Sequence, residues 1–156
     1  SQATRIANNE LISSIIANDK AITELKERAK TMSEEEIRTS ISSFIKKAKT
    51  AEKVLIYKEA QREYEKALYL ASGFGINEEV SKISFMVLEL DKKIKELELE
   101  YVLTAAEKAE KKKDYIKGIN YYKQGVEILQ DPSIFYENES RIKKLEKKIS
   151  NLQKHL

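Results

Sequence analysis

An all-α fold is predicted by three features of the sequence: helix-forming residues dominate, helix breakers are scarce, and apolar residues recur at helical spacing. Lys, Glu, Ile, Leu and Ala prevail, with one Pro, four Gly and no Trp in 156 residues, a composition that favours helix over sheet. The apolar share of 41% is ample for a core beside 35% charged residues. Periodicity predicts about five helices with short connections, arranged as an antiparallel helical bundle or a short α-solenoid. One domain is expected over 1–156, with an N-terminal helix in 1–30, helical hairpins over 34–130 and a C-terminal capping helix over 132–156.

The first segment places Leu11, Ile15, Asn18, Ile22, Leu25 and Ala29 on a heptad seam, widened by Ile12 and Ile16. Asn18 has two readings, as a polar register-setting member of the seam or, with Asp19, as a break and a new cap. Ser33 followed by Glu36 is a capping box, and Glu34, Glu35 and Glu36 suit the positive end of the helix that follows. That helix carries Ile37, Ile41, Phe44, Ala48, Ala51 and Leu55, after which the stripe resumes one residue late through Ile56, Ala60, Tyr64, Ala67 and Ala71. No Gly, Pro, Asn or Asp marks a turn at 52–56, which favours one continuous helix over a broken pair. Gly73-Phe-Gly75-Ile-Asn77 is the clearest break, with Gly73 suited to a left-handed helix end and Asn77 to the next cap. A single helix of over thirty residues follows, its seam running through Ile83, Val87, Leu90, Ile94, Leu97 and Tyr101. Asp131 and Pro132 read as cap and first turn of a last helix whose seam is Ile142, Leu145, Ile149, Leu152 and Leu156.

Between Tyr101 and Leu129, small residues recur at helical spacing on both sides of one charged turn. Val102, Ala105, Ala106 and Ala109 share a face, and their size admits a close neighbouring helix. Lys111, Lys112 and Lys113 form the turn, and Asp114 caps a helix with Tyr115, Gly118 or Ile119, Tyr122, Gly125 or Val126, and Leu129 on its apolar stripe. Two glycines inside a helix cost about 1 kcal/mol each against Ala, so they point to close packing rather than propensity. This order resembles helices A and B of a tetratricopeptide repeat, a unit of 34 residues. Phe44, Ala48, Ala51, Ala60, Tyr64 and Ala67 form a poorer copy 58 residues upstream, and Pro132 falls about two residues late for the proline that closes such units. The resemblance covers about 60 residues, and MIT-like three-helix domains share much of its pattern. It implies a ligand on the face lined by the A-type helices. Repeats that grip a terminal carboxylate use Lys and Asn there, where this chain has Leu103 and Glu107, or Ile45 and Lys49. That clamp is absent, so an acidic tail of the chaperone type is not the expected ligand.

Convergent chemistry is thin. Without Cys there is no disulfide framework and no cysteine metal site. His155 is the only His and reads as a frayed end, and the paired carboxylates Glu35/Glu36 and Glu78/Glu79 sit at helix starts, where the helix dipole accounts for them. Gly73-x-Gly75 lacks the remainder of a phosphate-binding loop, and the sequon form of Asn138-Glu139-Ser140 reads as chance. Neither a signal segment nor an apolar run long enough to span a membrane is present, so a cytoplasmic location is the default. The chain opens at Ser1 rather than Met, as a piece processed or excised from a longer protein would. Net charge is only +3. The basic excess lies in Arg141, Lys143, Lys144, Lys147, Lys148 and Lys154, interleaved with acids and read as a solvated face, so nucleic acid is not an expected partner.

The expected function is a protein-interaction scaffold, not an enzyme and without cofactor or metal, that binds a partner helix or peptide in a groove between helices. Of eight tyrosines, Tyr64, Tyr101, Tyr115 and Tyr122 fit the core or seams, leaving Tyr57, Tyr69, Tyr121 and Tyr136, with Lys49 and Glu107, as candidate partner-binding residues. The alternative is self-association into a homo-oligomer, with the seams of the first and last helices pairing between chains as part of a larger coiled-coil-like assembly.

Overall fold

The computed structural model describes residues 18–156, and within them the chain is helical throughout, with no strand. Leu11, Ile12, Ile15 and Ile16 of the expected first seam lie outside the described residues. Six helices are described: α1 over 18–29, α2 Glu34–Lys53, α3 Tyr57–Gly73, α4 Asn77–Lys111, α5 Tyr115–Leu129 and α6 Glu139–Gln153. The expected count of five is corrected because 34–72 is two helices. The chain divides into two compact units within α4, Ser1–Val87 and Leu88–Leu156.

Three turns share one design. After α2, the Ile56 amide donates to Ala51 O at 2.9 Å and that of Leu55 to Glu52 O at 3.0 Å. After α3, Ile76 donates to Ala71 at 2.9 Å and Gly75 to Ser72 at 3.3 Å; after α4, Asp114 donates to Ala109 at 2.9 Å and Lys113 to Glu110 at 3.0 Å. Each is a Schellman-type helix end, which requires one left-handed residue. Leu55, Gly75 and Lys113 supply it, with φ of 64°, 66° and 62°. The left-handed glycine is therefore Gly75, not Gly73, which is still helical. The continuous helix expected across 52–56 is likewise overturned. A side chain in the left-handed region costs only about 1–2 kcal/mol, so a turn can form without Gly or Asn. Leu55 consequently leaves the seam and is 70% exposed.

In the first unit, Ser33 Oγ accepts the Glu36 amide at 3.2 Å as the cap of α2. Ile37, Ile41, Ala48 and Ala51 of α2 are buried, as are Ala60, Tyr64 and Ala67 of α3. Alanine at these positions lets the two helices run close together. Tyr64 joins them through its hydroxyl, which donates to Glu52 Oε2 at 2.7 Å. Leu25 and Ala29 of α1 are buried, and the Asn18 amide donates to Glu65 of α3.

In the second unit, α5 is clasped by α4 on one side and α6 on the other. A Cβ placed on Gly118 would lie 3.1 Å from Leu152 Cδ1 and 3.7 Å from Ala106 O; one on Gly125 would lie 3.1 Å from Leu145 Cδ1 and 3.2 Å from Leu103 Cδ2. The contact order shows that α5 is antiparallel to both. Asp114 caps α5, accepting the Lys117 amide at 3.3 Å. This packing corrects the α4 seam: Leu97 and Tyr101 are 46% and 76% exposed, whereas Leu99, Val102, Ala106 and Ala109 are buried. In this half of α4 the inward face is the one that meets the two glycines, and a seven-residue repeat carried on from Ile83 misses it. Asp131 and Pro132 do not start α6. The Asp131 carboxylate accepts from Ser133 N at 3.0 Å and its carbonyl accepts from Phe135 N at 2.9 Å, a turn that sends Phe135 into the core before α6 begins at Glu139. His155 is not frayed, since its ring stacks on Tyr115 with centroids 4.3 Å apart.

Candidate functional site

The second unit holds a cleft of about 330 Å³ between α4, α5 and α6. Its floor is apolar: Leu99 and Leu103 from α4, Tyr122 and Leu129 from α5, and Leu145 from α6. Three of these leucines, Leu99, Leu103 and Leu145, close on Gly125, so the glycine that draws α4 and α6 together over α5 also sets the cleft between them. The rim carries Glu107 on α4 and Arg141, Lys144 and Lys148 on α6.

The rim charges are not equivalent. Arg141 makes a two-pronged pair with Glu96 of α4, at 3.0 and 3.1 Å, and its guanidinium also lies 5.6 Å from the centre of the Phe135 ring. These hydrogen bonds hold the Glu96 carboxyl below the usual range against the opposing effect of burial. Lys148 Nζ sits over the Tyr122 ring, 5.5 Å from its centre. Lys144 has no ion pair among the described residues. Tyr122 is 1% exposed, and its buried hydroxyl has no hydrogen-bond partner. Burial raises its pKa, the carboxylates of Glu110 and Glu107 add to that, and Lys148 opposes it by its charge and by its ammonium, which faces the phenol oxygen as a donor and leaves the hydroxyl proton without an acceptor. An unpartnered buried hydroxyl costs about 1–3 kcal/mol, so it is unusual in a well-packed wall.

Of the six candidate partner-binding residues, Glu107 alone lines this cleft. Tyr121 packs half-buried against the core of the same unit, and Tyr136 is 85% exposed on the turn before α6. Tyr57, Tyr69 and Lys49 belong to the first unit, the tyrosines half-buried and the lysine exposed, whereas Tyr121, Tyr136 and Glu107 belong to the second. Sequence reasoning missed Leu99, Tyr122, Arg141, Lys144 and Lys148 as a group. The available signal was the run of cations on one side of α6, which only the packing of α6 on α5 brings beside an apolar floor. A second depression, at the start of α2, is lined by Ser33, Glu34, Glu35, Arg38, Thr39 and Ser42, and has no apolar floor.

Among the described residues no group of three or more His, Cys, Asp or Glu is placed to hold a metal ion, and no helix is long and apolar enough to cross a membrane. No protein-family model matches the chain, and no curated protein or solved structure matches it either.

Proposed function

We propose that this chain is a non-enzymatic interaction module that holds a helix or peptide of a partner protein in the cleft between α4, α5 and α6. The observation that carries this reading is the apolar floor of Leu99, Leu103, Leu129 and Leu145 beneath a rim of both charge signs. Apolar side chains of the partner would gain roughly 25 cal/mol for each Å² they bury there, and the rim charges would fix their register. A tetratricopeptide-like arrangement is part of the proposal. It is supported by two hairpins whose small residues and paired tyrosines recur 58 residues apart, with Ala60, Tyr64 and Ala67 answering to Gly118, Tyr122 and Gly125. Amide shift mapping with a panel of amphipathic helical peptides tests the reading. Saturable shifts gathered on Leu99, Leu103, Glu107 and Leu145 are expected, and shifts scattered over both units, or none, would overturn it.

Self-association is the second reading, favoured by Val54, Leu55 and Ile56, three consecutive apolar residues exposed by 61%, 70% and 49% at the α2–α3 turn. Of the seams first considered for it, Leu25, Ala29, Leu145 and Leu152 are buried, Ile22, Ile142 and Ile149 are half-buried, and Leu156 is exposed. Light scattering over a tenfold concentration range separates the two, a constant mass near 18.0 kDa excluding self-assembly.

A further inference from the structure

Resting on the cleft reading above, we infer that the cleft recognises an acidic amphipathic segment, with Tyr122, Lys144 and Lys148 together receiving a carboxylate side chain of the partner. Three observations meet there. The Tyr122 hydroxyl is a buried donor without an acceptor. Lys148 lies directly over that ring, and Lys144 is one turn away on the same helix without a counter-ion among the described residues. Arg141, the third cation, is already paired with Glu96, so the α6 rim cations without an ion pair among the described residues are the two lysines, which share the surroundings of the hydroxyl with the carboxylates of Glu110 and Glu107.

Lys148 covers the ring at the end of a flexible four-carbon stem. When a carboxylate arrives, the ammonium swings toward it and uncovers the hydroxyl, which donates to one carboxylate oxygen while the lysines neutralise the charge. Such charge-assisted bonds in a partly desolvated cleft are about twice as strong as neutral ones. The leucine floor then takes the apolar residues on the same face of the partner. A peptide is favoured over a fatty acid because the rim is not of one sign: Glu107 stands across from the lysines and would meet an amide or cation one turn along. The cations come from α6, so this site is distinct from the helix A clamp that the sequence lacks.

The test uses two labelled amphipathic peptides with identical leucine spacing, one with Glu and the other with Gln at the positions beside the leucines, read by fluorescence anisotropy. The Glu peptide is expected to bind roughly tenfold tighter, and its affinity to fall between low and physiological salt. Tyr122→Phe, with its fold checked by circular dichroism, should weaken the Glu peptide more than the Gln peptide. Lys144→Gln with Lys148→Gln should erase the difference between the two. Equal affinities with shifts still confined to the cleft, or a Glu preference that survives the double substitution, or no effect of Tyr122→Phe, would overturn carboxylate recognition and leave the groove reading standing. Failure of both peptides to reach the cleft would overturn both readings. Saturation of the cleft by decanoate in that case would assign it to a small amphiphile.

Discussion

The hairpins α2–α3 and the second half of α4 with α5 are two solutions to one construction problem. Residue by residue, Ala51 and Glu52 answer to Ala109 and Glu110, Leu55 to Lys113, Tyr57 to Tyr115, and Tyr64 to Tyr122. The backbone between them is the same, with a left-handed residue at φ 64° in one and 62° in the other and matching hydrogen bonds. Two differences stand out. Where the first hairpin has Ala60 and Ala67, the second has Gly118 and Gly125, against which α6 presses Leu152 and Leu145. The Tyr64 hydroxyl is satisfied by Glu52, whereas that of Tyr122 is left without a partner. The lesson is that the same turn and helix pairing can satisfy its tyrosine hydroxyl in one hairpin and leave it unmet in the other, where the cleft lies beside it, although the first hairpin too holds a buried unpartnered oxygen, Glu63 Oε2.

The two tyrosines should be alike when removed and unlike when trimmed. Tyr64→Ala and Tyr122→Ala each leave a large buried cavity, and each is expected to cost about 3–5 kcal/mol in denaturant unfolding. Tyr64→Phe should cost about 1–2 kcal/mol because it removes a bond to a carboxylate. Tyr122→Phe deletes only an unpartnered hydroxyl and should be neutral or slightly stabilising; equal losses from the two Phe variants would erase the distinction. Next come the glycines. Gly125→Ala must displace both Leu145 and Leu103 and should destabilise by about 1–3 kcal/mol. Gly118→Ala meets one flexible side-chain end, and the gain of about 1 kcal/mol in helix propensity should largely offset it. Smaller still is the relief of the turns: Leu55→Gly and Lys113→Gly should each stabilise by about 0.5–1 kcal/mol, since left-handed strain exceeds the entropy glycine adds to the unfolded chain.

Alkaline titration sharpens the same contrast. Burial raises the pKa of both phenols, and Tyr64 is raised further by its bond to Glu52. A folded pKa above the unfolded value means the contribution to stability is fully present below the ordinary phenol pKa near 10 and is lost as pH rises through the folded value. Unfolding monitored by tyrosinate absorbance should therefore set in above about pH 10, and Tyr64→Phe should diminish that dependence.

Much of this was legible in the sequence wherever the cause is local. Ser33 and Asp114 cap the helices they precede because a side-chain oxygen three residues ahead of a free amide is a short-range device. The small residues at 102–109 and 118–125 announced a close hairpin because nothing else accounts for glycine inside a helix. Leu55 and Lys113 gave no warning, since a left-handed leucine or lysine is tolerated at a cost that neighbouring packing outweighs. Phe135 misled for a related reason: Asp131-Pro132 is a good helix start taken alone, but burying Phe135 in the α5–α6 core requires a turn instead. The cleft was hidden because its walls come from residues up to 49 positions apart, Leu99 and Lys148 among them. No periodicity within one helix reports the spacing between three.

The repeated three-residue turns also bear on how the chain reaches its native state. Each joins two helices that can meet as soon as a handful of residues order, so little chain entropy is lost before stabilising contacts form. A topology of this kind has low contact order and is expected to fold in microseconds to milliseconds. Either hairpin could nucleate. The longer connection between α5 and α6, with Phe135 to be seated and Arg141 to find Glu96, would then close last, making docking of α6 the late step of refolding.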